Sequence, residues 1–315
     1  MTVTRTTLPP EVALNMAEKM LSTPQARLIH KIAMDEHTYP ANEGDIMRFS
    51  RFNRLETVPV PVSPLMLNPP AQSLTRVDID AKIEFHATYI PITKQVTLIN
   101  NDPVLNNAAL RLGQCLRETE DQLIRDMLES TLGAVNAVNG TNGDNPTNLT
   151  REDVDDIVAS LQNADGEFVT EMIEAEDKIG TGPIRDAYIA MAHTRLIGQL
   201  EAVDGFKEKN QYPNQGSVLS SEWGSISNAR YFLSSRGSVT HSGSALGNDV
   251  YNIYYAAQEA YSGIYLEAGM AKYIYHGPGH GDDPCELRQT VGFSFPFATN
   301  ITNDAWIIKQ AVTLG

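Results

Sequence analysis

Residues Asp102–Val135 constrain this chain more than any other stretch, because they read as one uninterrupted helix. Asp102 suits the cap and Pro103 the first turn, where the missing N–H of proline is no loss. Apolar residues recur at three- and four-residue spacing through Leu105, Ala108, Ala109, Leu112, Leu116, Leu123, Ile124, Met127, Leu128 and Leu132. Arg117, Asp121, Arg125 and Glu129 alternate in sign at four-residue steps, and we read them as solvated ion pairs on the opposite face. A rod of this length spans roughly 50 Å, which is long for a compact domain. Gly113 lies inside it, where glycine costs about 1 kcal/mol relative to alanine and marks a place for bending or close contact.

A length of 315 residues suggests about two domains, and a hydrophobic content of 42% supports a real core. No apolar run reaches the roughly 20 residues that span a bilayer, and residues 1–10 lack the apolar centre of a signal peptide. The expectation is therefore a protein of a cytosol-like compartment with no membrane partner. Cys115 and Cys285 are too few for a disulfide framework and are expected as reduced thiols. The formal net charge of −15 disfavours sequence-independent nucleic-acid binding, which needs Lys and Arg to displace counterions from phosphates. Solubility explains such a charge. An acidic surface would also let an enclosed nucleic acid slide past without sticking.

Leu8–Leu21 reads as a short helix ended by Thr23-Pro24. Two strands are expected at Ile29–Met34 and Ile46–Phe52, the second with arginines on both faces. The prolines of Val58–Pro70 (VPVPVSPLMLNPP) exclude helix and central strand, leaving an extended connector. Val77 to Tyr89 alternates apolar and polar without a break, which predicts one long strand. Pro91 is expected to break or bend it before a second strand, Gln95–Ile99. Such a ribbon is marginal alone, so either the rest of the subunit or a neighbour must cover its apolar face.

After the long helix, Asn136–Asn148 is an Asn- and Gly-rich loop. Thr150 and Asp153 form a capping-box pattern before a helix at Arg151–Asn163, with Val154, Ile157, Val158 and Leu161 facing inward. A strand at Ala187–Ala192 and helical spacing over His193–Val203 follow, then the polar stretch Asp204–Gly216, expected as a surface loop. Late in the chain Val291, Phe293, Phe295 and Phe297 alternate with small residues, and Ala305–Leu314 is a last apolar strand. We expect both against the long helix.

Chemistry is sparse. His276, His280, Asp282, Asp283 and Cys285 include metal-ligating types, but their spacing fits neither a paired-cysteine site nor a helical His pair. Turn chemistry explains the loop equally well, and no metal or cofactor is expected. There is no phosphate-cradling glycine loop, dinucleotide fingerprint or nucleophile elbow. His30, His37, His86, His193 and His241 are scattered, and each is read as structural or exposed. The chain does not read as an enzyme. A metal-dependent hydrolase centred on His276, His280 and Asp282 is the rival from that class.

Three stretches, in this order, carry a resemblance. Gly44–Leu55 (GDIMRFSRFNRL) looks like a G-x-x-(V/I)-x-F-x-R-(Y/F)-x-x-L segment. Ser220–Ser235 (SSEWGSISNARYFLSS) looks like G-E-(I/W)-G-x-(I/V)-x-G-(V/A)-R-(F/Y)-(I/V/F)-x-S. Gly292–Ile308 contains Asn303-Asp304-Ala305-Trp306-Ile307, similar to a closing N-(D/E)-A-W-I element. Together they resemble the major capsid proteins of tailed double-stranded DNA phages, of the Hong Kong 97 type. Ser221 and Asn228 stand where that pattern has glycine, and Asn228 is expected to hold the positive-φ turn.

The resemblance implies an α+β fold of the Hong Kong 97 type. Residues 1–57 would form an N-terminal arm and first strands, and 58–96 an extended loop. Residues 97–135 with 272–315 would form a peripheral domain on a spine helix, and 136–271 an axial domain. It implies self-assembly into hexamers and pentamers of an icosahedral virion shell, assembled in the host cytoplasm around double-stranded DNA held without sequence-specific binding. Scaffolding, portal and decoration proteins are the implied partners. Arg48, Arg51, Arg76, Asp78, Asp80, Lys82 and Glu84 are the expected intersubunit contacts, and Gly113 the expected hinge of the spine. Some members cross-link their shells through a lysine, and Lys82 and Lys94 are the lysines near the loop, neither assigned that role. The nearest alternative is the shell of a bacterial nanocompartment of the same fold.

Overall fold

A computed structural model gives the fold and describes residues 27–40, 43–55, 57, 71–99, 104–139, 141–173, 184–213, 218–219, 221–240, 249–267, 272–281 and 283–314. The expected helix Leu8–Leu21, the connector Val58–Pro70, the cap at Asp102 and Pro103, and His241 and Asp282 lie outside the described residues.

The first element is a turn. Ile29–Met34, expected as a strand, coils with Ile32 N–H donating to Ile29 O and Met34 N–H to Lys31 O. Three of its residues, Ile29, Ala33 and Met34, are buried together, which an alternating strand would not allow. β1 (Asp35–Tyr39), β2 (Ile46–Phe52), β3 (Arg76–Lys82) and β4 (Glu84–Thr93) follow. The long alternation thus divides at Ile83, whose side chain is buried. Pro91 does not break β4, and Lys94–Ile99 is a short helix, α1, in place of the second strand.

α2 (Val104–Thr131) is the long helix, and it runs through Gly113 without interruption. It stops short of Val135, which instead belongs to β5 (Ala134–Asn136). α3 (Arg151–Asn163) begins with the expected capping box, in which Thr150 and Asp153 satisfy each other's backbone donors. Then come β6 (Tyr188–His193), α4 (Ile197–Ala202), β7 (Lys207–Glu208), β8 (Glu222–Ile226), β9 (Ala229–Ser234) and β10 (Val239–Thr240). The last five strands are β11 (Val250–Ala256), β12 (Tyr261–Leu266), β13 (Lys272–His276), β14 (Arg288–Ile301) and β15 (Ile307–Thr313). Positive φ falls on Ser221 (72°) and Ser227 (52°), whereas Asn228 turns its amide to donate to Asp186 O at 2.7 Å. The expectation for Asn228 was therefore one residue off.

Two sheets organise the chain. The five-stranded sheet has the order β1-β12-β14-β13, with β4 on the other flank of β14. The eight-stranded sheet has the order β5-β15-β11-β6-β9-β8-β7, with β10 beside β11. Among the described residues β2 and β3 pair only with each other, as a ribbon. Sequence neighbours separate here: β12 joins the first sheet although it follows β11, and β15 joins the second although it follows β14. β12 thus pairs with a strand that follows residue 271, and β15 with strands that precede it.

α2 serves both sheets. Its buried positions Ala108, Leu112, Ile124 and Leu128 fall on four-residue steps, and each such step drifts about 40° around the axis. The buried stripe therefore winds to a new side along the rod. Val291, Phe293, Phe295 and Phe297 of β14 turn their alternate side chains into the same cluster, and α3 packs its four predicted residues into a second cluster under the other sheet. Full burial of a residue such as Ile124 or Leu128 contributes about 1.5–3 kcal/mol.

The carboxylates of α2 correct the reading of a solvated face. Asp121 is 2% exposed and accepts from His30 N–H at 2.9 Å, while His30 Nδ1 lies 2.8 Å from its second oxygen. Asp121 precedes Ile124 by three residues and Leu128 by seven, a spacing that places it among the apolar side chains. Tyr261 of β12 donates to His30 O at 2.5 Å, so the turn at residues 30–33 is held by helix and sheet together.

Glu129 is the larger junction. Lys309 Nζ on β15 donates to its carboxylate at 2.8 Å and to its backbone carbonyl at 3.2 Å. Asn252 Nδ2 reaches both oxygens at 3.1 Å, and the hydroxyls of Ser238 and Tyr254 also donate. Burial opposes ionisation here, but the bonds from Lys309, Ser238 and Tyr254 outweigh it and hold the carboxyl down at about 2.

Glu129→Gln should destabilise the free subunit by on the order of 2–4 kcal/mol in urea unfolding, because it leaves the buried Lys309 ammonium without its counter-charge. The sign of the pH dependence follows from the lowered value. Stability from Glu129 is complete above the ordinary carboxyl range near 4.5 and is lost as pH falls towards 2. Acid titration of the wild type should therefore show an unfolding component in that window that Glu129→Gln lacks.

Candidate interaction site

The expected contact residues gather on the ribbon. In its register Ile46 stands opposite Lys82, Arg48 opposite Asp80, Ser50 opposite Asp78 and Phe52 opposite Arg76. These eight share one exposed face, since residues two apart on a strand point the same way. Arg48 bridges Asp80 with two bonds of 2.6 and 2.8 Å. Arg76 Nε reaches Asp78 at 2.5 Å, and Ser50 Oγ reaches the same oxygen at 2.7 Å. Arg76, then Ser50, hold the Asp78 carboxyl below the usual range, and Arg48 does the same for Asp80. Exposed pairs of this kind stabilise a subunit little.

Arg51 does not join them. It points to the other face, with a nitrogen 3.7 Å from Asp304. That face also carries Met47 and Phe49, which pack with Tyr39 and Leu266 against buried Ala81, Ile83, Ile264 and Ala298. The subunit itself therefore covers the root of the ribbon. Lys82 and Glu84 are exposed where ribbon and β4 meet. At the far end Phe52, Leu55 and Leu74 are exposed, Phe52 by 63% and Leu74 by 67%.

A second open surface lies on the five-stranded sheet, on the face away from α2. Here Ala87, Tyr89, Ile274, His276, Gly292 and Ser294 line a shallow groove of about 550 Å³. Gly292 is required in its floor, because a side chain would meet Thr88 O at 2.7 Å and the Tyr89 Cβ at 2.9 Å. The composition of this groove escaped notice in the sequence because β4 lies far along the chain from β13 and β14, which complete its walls.

The loop that raised the metal question is organised by backbone bonds. Asp283 accepts N–H groups from Arg288 at 2.7 Å, Leu287 at 3.0 Å and Gly279 at 3.4 Å, and the bonds from Arg288 and Leu287 lower its carboxyl. His276 and His280 stack with ring centres 4.5 Å apart. Among the described residues no three His, Cys, Asp or Glu side chains come together to hold a metal ion. Cys115 and Cys285 are exposed free thiols. No helix among the described residues is long and apolar enough to cross a membrane.

Comparison with known proteins places these features. Residues 76–278 match the family described as phage capsid protein. Similar solved structures include an acid-stable capsid of Helicobacter pylori bacteriophage KHP30 (TM-score 0.69, 10% identity, covering 100% of this chain and 99% of that one). The capsid asymmetric unit of cyanophage Pam1 is similar over 96% of this chain and 98% of its own (TM-score 0.65, 11% identity). The capsid of Ralstonia phage GP4 is similar over 96% of both (TM-score 0.64, 12% identity). At such identities the likeness shows the fold. No curated protein matches the chain by sequence. The chain belongs to the phage capsid protein family, and it is a structural subunit of the shell.

Proposed function

We propose that this subunit builds an icosahedral head from hexamers and pentamers around double-stranded DNA, which it encloses without sequence-specific contacts. The observation that carries the proposal is the ribbon: a two-stranded arm with paired charges on one face and apolar residues exposed at its far end, on a subunit with buried clusters behind both sheets. Family membership favours a phage head over a nanocompartment of the same fold. The net charge of −15 suits a wall that must not bind its contents tightly.

The parts have these roles. α2 with the five-stranded sheet is the peripheral domain, and α3 with the eight-stranded sheet is the axial one, with β15 returning to the axial side. The ribbon is the base of the extended loop, and residues before β1 form the arm. Arg48, Arg76, Asp78, Asp80, Lys82 and Glu84 meet a neighbouring subunit, and Arg51 steadies the ribbon's inner face. Scaffolding, portal and decoration proteins are the partners, and assembly takes place in the host cytoplasm before the shell becomes part of the virion. The subunit acts by binding its copies, not by catalysis. Many weak contacts, closed by symmetry, stabilise the shell.

Electron microscopy of the expressed chain with its scaffold should show closed shells. Deleting residues 68–74 at the ribbon tip should leave a subunit with an unchanged circular dichroism spectrum that forms no closed shells; normal particles would contradict the role of the ribbon. Enclosed enzyme cargo in place of DNA would favour the nanocompartment. Gly113 is exposed, and its vicinity has room for a methyl group. Gly113→Ala should thus raise helix stability by up to about 1 kcal/mol and slow shell expansion if the spine bends there. Unchanged expansion kinetics would remove the hinge.

A further inference from the structure

The Asn- and Gly-rich loop after α2 takes no part in the buried clusters, and its sequence carries a chemistry of its own. Asn-Gly occurs in it as Asn139-Gly140 and again as Asn142-Gly143. The base of the loop is fastened. Thr147 N–H donates to Ala137 O at 2.9 Å, and Asn136 Nδ2 donates to Gly143 O at 2.9 Å. Asn136 ends β5, a terminal strand in the order of the eight-stranded sheet. Thr141 N–H closes a turn onto Val138 O at 2.8 Å, with Asn139 inside it at φ +42°.

Within this frame the Asn142 amide is held at both ends. Its Nδ2 donates to Asp144 Oδ2 at 2.5 Å, and its Oδ1 accepts from Asp144 N–H at 3.4 Å. A carboxylate only accepts and a backbone N–H only donates, so the partner fixes which way the amide faces. A side-chain oxygen bonded to the N–H two residues on curls the side chain back over the peptide between them, as in an Asx turn. That peptide contains Gly143 N, the atom that can attack Asn142 Cγ and close a five-membered ring.

The surroundings favour this attack over rival uses of the same atoms. Gly143 N–H donates to no group among the described residues. Gly143 sits at φ +79° and has no Cβ to shield its nitrogen. Asp144 N–H points at Oδ1, where negative charge builds as the ring forms. Asn142 and Asp144 are exposed, so water reaches them. Asn139 shares the Asn-Gly sequence without the clamp, since its side chain makes no hydrogen bond among the described residues.

We infer that Asn142 is a self-modification site, at which Gly143 N attacks Asn142 Cγ, a succinimide closes and ammonia leaves. The hydrogen lost from Gly143 N passes through water to the departing nitrogen, so the step needs neither oxidant nor enzyme. Water then opens the ring. Attack at the former side-chain carbonyl gives aspartate; attack at the main-chain carbonyl gives isoaspartate, with one extra carbon in the backbone. Either product is a carboxylate beside Asp144, so like charges replace the clamp. The extra carbon also displaces Gly143 O from Asn136. The loop beside β5 is thus released in one direction as the protein ages. Only this loop and water take part, so the reaction does not depend on assembly.

The test incubates the full chain at mildly alkaline pH and follows it by peptide mass spectrometry, with electron-transfer fragmentation to separate aspartate from isoaspartate. In the folded chain deamidation at Asn142 should accumulate at least fivefold faster than at Asn139. In urea, where the clamp is lost and the Asn-Gly sequence remains, the two rates should agree within about a factor of two. Asp144→Ala should slow Asn142 at least threefold in the folded chain and leave Asn139 unchanged, with an unaltered circular dichroism spectrum. Gly143→Ala should slow Asn142 in urea as well, which separates the attack itself from any strain the methyl group adds at positive φ. Equal rates at the two asparagines in the folded chain, or an Asn142 amide that persists while Asn139 is lost, would overturn the inference. An unchanged Asn142 rate in Asp144→Ala, or the same preference for Asn142 in urea as in the folded chain, would also overturn it.

Discussion

The contact between Glu129 and Lys309 ties the long helix to the eight-stranded sheet. It joins the end of α2 to the last strand of the chain, and Asn252, Tyr254 and Ser238 draw the middle of the eight-stranded sheet to the same carboxylate. Near the centre of the helix, Asp121 and His30 secure the turn that leads into the five-stranded sheet. Both carboxylates are satisfied by several donors, so burial is offset, and removing either side would strand a charge or a donor inside the protein. The helix is thereby fixed at two points, one towards each sheet.

That arrangement suits a shell subunit. Among the described residues, buried clusters lie behind both sheets, and the surfaces left open include the far end of the ribbon and the outer face of the five-stranded sheet. They are of different chemistry, charged and apolar on the ribbon and mainly apolar on the sheet. Specificity then comes from the combination of modest contacts, and closure makes the combination stable.

The long helix, the capped helix α3 and the phenylalanine strand β14 were legible because each has a local cause: periodicity, a capping box, strict alternation. The family was legible because three motifs stand in order. What escaped is what tertiary structure decides. Lys94–Ile99 is strand-like by composition but turns helical where the chain leaves the sheet. Pro91 seemed a breaker, yet at an outer edge its missing N–H costs nothing. The charges of α2 looked solvated because they alternate in sign; the spacing of Asp121 from Ile124 and Leu128 already placed it inside, and that signal was there to use. Glu129 had no such signal, since its partners lie over 100 residues away in the chain. The shared exposed face of the ribbon was legible from alternation, whereas the sheet groove, which joins β4 to the much later β13 and β14, was not.

The most direct measurement is a cryo-electron microscopy reconstruction of particles assembled from this chain. The map should show α2 as one continuous rod joined to both sheets, and the β2–β3 ribbon lying against an adjacent subunit with Phe52, Leu55 and Leu74 covered. A ribbon folded back on its own subunit, with those three side chains in solvent and the shell closed by other surfaces, would contradict the role of the ribbon.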